Sequence, residues 1–145
     1  MMARNFQGGR IMNTRYLISV LVIFVLLMVF GFVVHAQLLS ADYQKITPTI
    51  MRGPEDGTRH MGYLILAQLI FAIAFVRIYL RGREDKPWLG QGLRYGMTIA
   101  ALTVVAKFLI YYAVEPLDSS LVAKQIIYES IVTTVLGVVV AGLHK

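Results

Sequence analysis

"YLISVLVIFVLLMVFGFVVHAQLL", Tyr16 to Leu39, is the stretch that decides the fold. Apart from Ser19, His35 and Gln37 it is apolar, and it shows no strand-like alternation. About 20 such residues cross a hydrocarbon core as a helix. A secretory signal also sets basic residues before an apolar run, and Arg10 and Arg15 precede this one. The run is longer than a signal core and no clean small-x-small cleavage site follows it. An uncleaved spanning helix is therefore expected. Residues 1–12 read as a disordered cytoplasmic leader, with Met12 an alternative start to Met1.

Three more apolar stretches follow, at about 61–80, 93–114 and 120–143, with a loop at 40–60. Lipid offers backbone groups no hydrogen-bonding partner, so spans are helices or closed barrels. The expected fold is all-α: a polytopic membrane protein with four transmembrane helices in an antiparallel bundle, one domain over 13–145. Composition agrees. Of 145 residues 57% are hydrophobic and 15% charged, against about 25% charged in soluble domains. There is no cysteine, which excludes disulfides, thiolate metal sites and thiol catalysis.

The net charge of +6 is not a nucleic-acid signal, because it clusters at span ends. Arg4, Arg10 and Arg15 precede the first span, and Arg77, Arg81, Arg83, Lys86 and Arg94 surround the central loop. The 40–60 loop balances Asp42, Glu55 and Asp56 against Lys45, Arg52 and Arg59, and Glu115 and Asp118 lie at the last turn. Lysine and arginine excess marks the cytoplasmic side. Both termini and the central loop are thus expected in the cytoplasm, and the 40–60 loop outside.

The central "REDKPW" turn leads into the third span through Pro87, which suits a helix start, and Trp88, expected as an anchor at head-group depth. Gly92 and Gly96 form G-x-x-x-G, and Gly137 and Ala141 repeat the spacing in the fourth span. Such faces let helices approach closely in lipid. Gly90-x-Gly92 is not a dinucleotide turn: no strand precedes it and the third glycine is misplaced.

From Gly62 onward the chain resembles a family of uncharacterised small bacterial four-helix inner-membrane proteins. The resemblance rests on "YLRGREDKPWLGQGLRYG" (79–96), "YYAVEPL" (111–117) and "LGVVVAGL" (136–143). It implies the fold and a bacterial inner-membrane location, and no activity.

Ionisable groups at membrane depth are candidate functional groups. Lys107 lies roughly 10 Å below the outer surface and Glu129 roughly 14 Å, at 1.5 Å per residue. On consecutive helices they are placed to pair. Tyr111 follows Lys107 by one turn, Gln125 and Thr133 flank Glu129 by one turn, and Gln68 lies at similar depth in the second span. The expectation is a polar pocket in the outer half of the bundle, read either as a register clamp or as a ligand or proton site. Snorkelling is the alternative for Lys107 and Lys124. His35 and His60, at matched depth, are weak haem or metal candidates. His144 is expected to be solvated. "GPEDG" (53–57) reads as a turn with too few oxygens for calcium, and 41–51 as a segment lying along the membrane surface.

Three functional classes remain. The first, favoured on sequence, is a structural or accessory subunit whose glycine and alanine faces dock onto a partner or a second copy. The second is a small proton- or cation-coupled transporter or channel using Lys107 and Glu129. The third is a membrane redox protein binding haem or quinone. No cofactor and no enzymatic activity is predicted. Membrane lipids and a protein partner or second copy are the expected partners, and no nucleic acid.

Overall fold

The computed structural model describes residues 14–145. The expected leader, with Arg4, Arg10 and Met12, lies outside the described residues. Within them the chain is helical and contains no strand. Four helices are long and apolar enough to cross a membrane. We label them α1 (Thr14–Leu38), α4 (Met61–Gly82), α5 (Trp88–Val114) and α6 (Ser119–Leu143). Between the first two lie the short helices α2 (Ser40–Ile46) and α3 (Pro54–Arg59). The chain is a multi-pass membrane protein.

Span limits differ from expectation mainly at α5, which begins at Trp88 rather than 93. Pro87 stands just before it, as the cap, and Gln91 reaches back to stitch the loop shut. Its Oε1 accepts from the Glu84 amide at 2.8 Å, and its Nε2 donates to the carbonyls of Glu84 and Lys86, each at 2.7 Å. With the loop's backbone groups satisfied by one side chain, the helix starts a full turn early. At the other end of the bundle, Asp118 caps α6 by accepting from the amides of Ser120 (3.0 Å) and Leu121 (3.3 Å). "GPEDG" is not a plain turn. Pro54 opens α3, and Arg52 pairs with Asp56 at 2.6 Å. The 41–51 segment does not simply lie along a surface, because α2 folds back onto α1 and α6 through Tyr43 and Ile46, which pack with Leu121.

Neither α1 nor α5 is α-helical throughout. Phe32–Leu38 and Ala101–Val105 are wound as π-helix, a wider winding with i→i+5 bonds that occurs mostly in short pieces and frequently at functional sites. The Leu39 amide closes the first of these onto the Val34 carbonyl at 2.9 Å.

The tightest helix pair is α5 with α6, and glycines are the reason. A Cβ added to Gly96 would lie 2.6 Å from the Thr134 Cα. One added to Gly92 would lie 2.7 Å from the Gly137 carbonyl oxygen, and one on Gly137 2.6 Å from the Gly96 Cα. The backbones touch, and Ala141 is fully buried beside them. Partners fall from Ala141 to Thr133 as α5 advances from 92 to 96, so the two helices run in opposite senses. The small-residue faces expected to dock onto a partner therefore meet each other within one chain. Trp88 packs over Gly142 at the same end.

The end opposite α2 holds the larger apolar core. Ile23, Ala72, Phe75, Val76, Tyr79 and Leu136 form its core, and Tyr95 donates its hydroxyl to the Phe75 carbonyl. Arg15 donates to the Leu143 carbonyl at 2.9 Å and Arg83 to that of His144 at 3.0 Å, supplying donors to the open end of α6. His144 is not solvated as expected. Its Nε2 meets Ser19 Oγ at 2.8 Å, and burial pushes its pKa down, helped by Arg15 and Arg83.

Gly96→Ala is expected to cost about 1–3 kcal/mol by overpacking a backbone contact. Gly90→Ala, where an added Cβ meets nothing within 4 Å, is expected to change stability by under about 1 kcal/mol. Unfolding in mild detergent with graded denaturant measures both. Equal effects would remove the close approach as the organising contact.

Candidate functional site

The polar groups of α1, α5 and α6 converge at the π-helical level. Lys107 Nζ lies 3.3 Å from Glu129 Oε2, as the spacing of the two residues in sequence suggested. His35, from the π segment of α1, places Nε2 3.3 Å from the other carboxylate oxygen, Oε1. Glu129 thus lies between a cation and an imidazole, with its side chain 19% exposed. Lys107 also lies over the Phe108 ring, 4.3 Å from its centroid. Thr133 lies one turn from Glu129 and donates to the Glu129 backbone carbonyl at 2.8 Å, so it supports the helix and not the carboxylate.

A second layer comes from α2. The Tyr43 hydroxyl is 2.7 Å from His35 Nδ1, and Gln125 Nε2 donates to it at 3.1 Å. Nε2 faces the Glu129 carboxylate, which only accepts, so the ring's proton is assigned to Nε2 and the Tyr43 hydroxyl donates to Nδ1. Burial raises the Tyr43 pKa, and the carboxylates of Glu129 and Asp42 act in the same direction against the Gln125 bond. The phenol therefore stays neutral and keeps its proton to donate. Asp42, beside it, accepts from Lys124 at 2.7 Å and from Lys45 at 3.1 Å. Lys124 therefore does not merely snorkel; it holds α2 against α6.

Two cavities meet at this cluster. One, of about 280 Å³, lies inside the bundle and is lined from all four long helices, with Gln68 and Thr103 among its polar groups. The other, of about 300 Å³, lies toward α2 and is lined by Tyr43, Phe108, Tyr111 and Gln125. His35, Lys107 and Glu129 line both. Both π segments border the inner cavity, through Val34 and His35 and through Thr103 and Val104.

Of the residues singled out from sequence, Lys107, Glu129, Gln125, Tyr111 and Gln68 surround these two spaces. Tyr111 reaches the cluster only through the edge of Phe108, with ring centroids 6.0 Å apart. His35 and His60 have separate partners: His60 Nδ1 lies 2.8 Å from the Asp56 carbonyl and 3.2 Å from its carboxylate. Among the described residues no group of three His, Asp or Glu stands close enough to hold a metal. Sequence reasoning missed Tyr43 and Asp42, and set His35 beside His60 only as a weak haem or metal candidate. The signal was present in "ADYQKI" (41–46), whose Asp42 and Lys45 are spaced for one helix face.

The partners of Asp42, Lys124 first, hold its carboxyl below the ordinary carboxylate range. The clamp is then fully present above that range and is lost as pH falls through the depressed value. Hydrogen-exchange protection of the α2 amides is expected to fall several-fold in Asp42→Asn at neutral pH. In the native chain it should fall likewise on acidification, while α6 stays protected. Unchanged α2 protection in the variant would show that the Tyr43 hydrogen bonds and apolar packing hold α2 without the Asp42 pair.

No family model matches this chain, and neither a curated protein nor a solved structure matches it.

Proposed function

We propose that this protein is a small proton- or cation-coupled transporter or channel that uses the His35–Lys107–Glu129 cluster as its exchange site. One observation carries the reading: the cluster stands between two cavities, and each of its three residues lines both. A carboxylate that meets a lysine and an imidazole can take up a proton or a cation in place of the lysine's charge, with Lys107, 41% exposed, turning away as it does so. The π segments that carry His35 and border Lys107 widen two helices at this level, which favours a working site over a plain register clamp.

In this reading the chain lies in a bacterial inner membrane with both termini in the cytoplasm, supported by the lysine and arginine excess at that end. The α2-end cavity then faces outward, and the aromatic and arginine contacts at the other end lie on the cytoplasmic side. The protein is not read as an enzyme.

An accessory-subunit role keeps one support. The N-terminal half of α4, including Tyr63, Leu64, Leu66 and Ile70, is exposed, and lipid or another protein must cover it. The glycine faces no longer support that role, being used within the chain. The redox reading has only the separately bonded histidines to draw on.

In proteoliposomes, a cation gradient is expected to drive pH change through the native protein, and Glu129→Gln to reduce that flux by at least about tenfold. Gly90→Ala serves as the folded control. Unchanged flux in Glu129→Gln would end the transport reading, and a stoichiometric partner eluting with an inactive chain would favour the accessory role.

A further inference from the structure

The α2-end cavity already contains an ammonium ion, tethered to the chain. Lys107 Nζ meets the two features that select for such a group, a carboxylate 3.3 Å away and an aromatic face 4.3 Å from its centroid. The lysine is not enclosed: its side chain is 41% exposed, and its stem is long enough to carry the ammonium toward the outer surface.

The surroundings of that ammonium extend beyond it. The cavity of about 300 Å³ presents the rings of Tyr43, Phe108 and Tyr111. Its lining carries two carboxylates, Glu115 and Glu129, against the single lysine, so acidic groups outnumber the ammonium. An anionic ligand is therefore disfavoured. A bare metal ion would find aromatic walls and, among the described residues, no third ligand. Gln125, 8% exposed, lines the same space, and its Oε1 is buried without a donor. A buried acceptor left unpaired is costly and favours a ligand that brings an N–H.

We propose that this cavity binds an organic ammonium ion with an apolar body, which displaces the Lys107 ammonium from Glu129 and the Phe108 ring. The ligand's charge replaces that of Lys107 at Glu129, its body fills the aromatic space, and a remaining N–H is available to Gln125. Lys107 then serves as a built-in competitor that holds the site neutral when empty and is returned to Glu129 when the ligand leaves. The proposal names a substrate class for the exchange site and so rests on the reading above, though it is a statement about binding and is tested as one.

The probe is phenethylammonium at neutral pH, against 2-phenylethanol as its uncharged counterpart, titrated calorimetrically into the protein in lipid nanodiscs. The native protein is expected to bind the cation at least about tenfold more tightly than the alcohol. Lys107→Met is expected to tighten cation binding by about tenfold or more, because the competitor is gone, and Glu129→Gln to abolish it. Equal binding of cation and alcohol by the native protein overturns the proposal whatever the variants do, as does Lys107→Met binding the cation more weakly. Cation binding with no Glu129-dependent flux would overturn the transport reading and leave this one standing. Glu129-dependent flux with no cation binding would do the reverse.

Discussion

The structure depends on one contact, the direct approach of the α5 and α6 backbones at Gly92, Gly96 and Gly137. In lipid there is no hydrophobic gain from bringing two apolar helices together, so association relies on close van der Waals fit. Three missing side chains provide that fit here, with backbone atoms filling the space that a Cβ would need. The contact fixes the longitudinal register of the two helices. It also fixes what lies further along: with Gly96 against Thr133 and Thr134, Lys107 comes within side-chain reach of Glu129, the two tips meeting at 3.3 Å. The π segment at Ala101–Val105 lies between Gly96 and Lys107.

The ion cluster is held by assembly from three directions. Glu129 could be neutralised by Lys107 alone, and a buried pair of that kind is seldom more stable than apolar residues of the same size. The additional investment in His35, Tyr43 and Gln125 orients the carboxylate, leaving each of its oxygens with its own partner. The orienting layer comes from α2, a helix too short to be stable alone. It is kept in place by the Asp42–Lys124 pair and by Ile46 and Tyr43 against Leu121. The site thus has a fixed wall of long helices and a locally clamped cover, while the end opposite α2 is packed with aromatic rings and arginines.

Much of this was legible residue by residue. Apolar run length located the four spans, and G-x-x-x-G spacing identified the residues of closest approach. Lys107 and Glu129 could be paired by depth because two helices joined by a tight turn must return along each other. What the glycines pack against was not legible, since a small-residue face is the same signal whether its partner is the next helix or another chain. His35 was weighed, at matched depth with His60, as a weak haem or metal candidate, and the groups nearest to it come from α2 and α6. His144 was read as a solvated terminus, although Ser19, far away in sequence, holds it.

By itself, then, the sequence determined that the chain is an all-helical membrane protein, where its spans lie, and which few polar residues must find partners at depth. Those properties follow from local physics: backbone groups in lipid are satisfied within a helix, and charge in lipid is costly wherever it occurs. Only the tertiary structure decided which groups satisfy one another. It turned the glycine faces inward, wound two helices as π segments around a shared cavity, and brought Tyr43 from a loop helix onto His35. These outcomes depend on rotation and register among helices distant in sequence, where a shift of one residue exchanges a cavity wall for a lipid-facing surface.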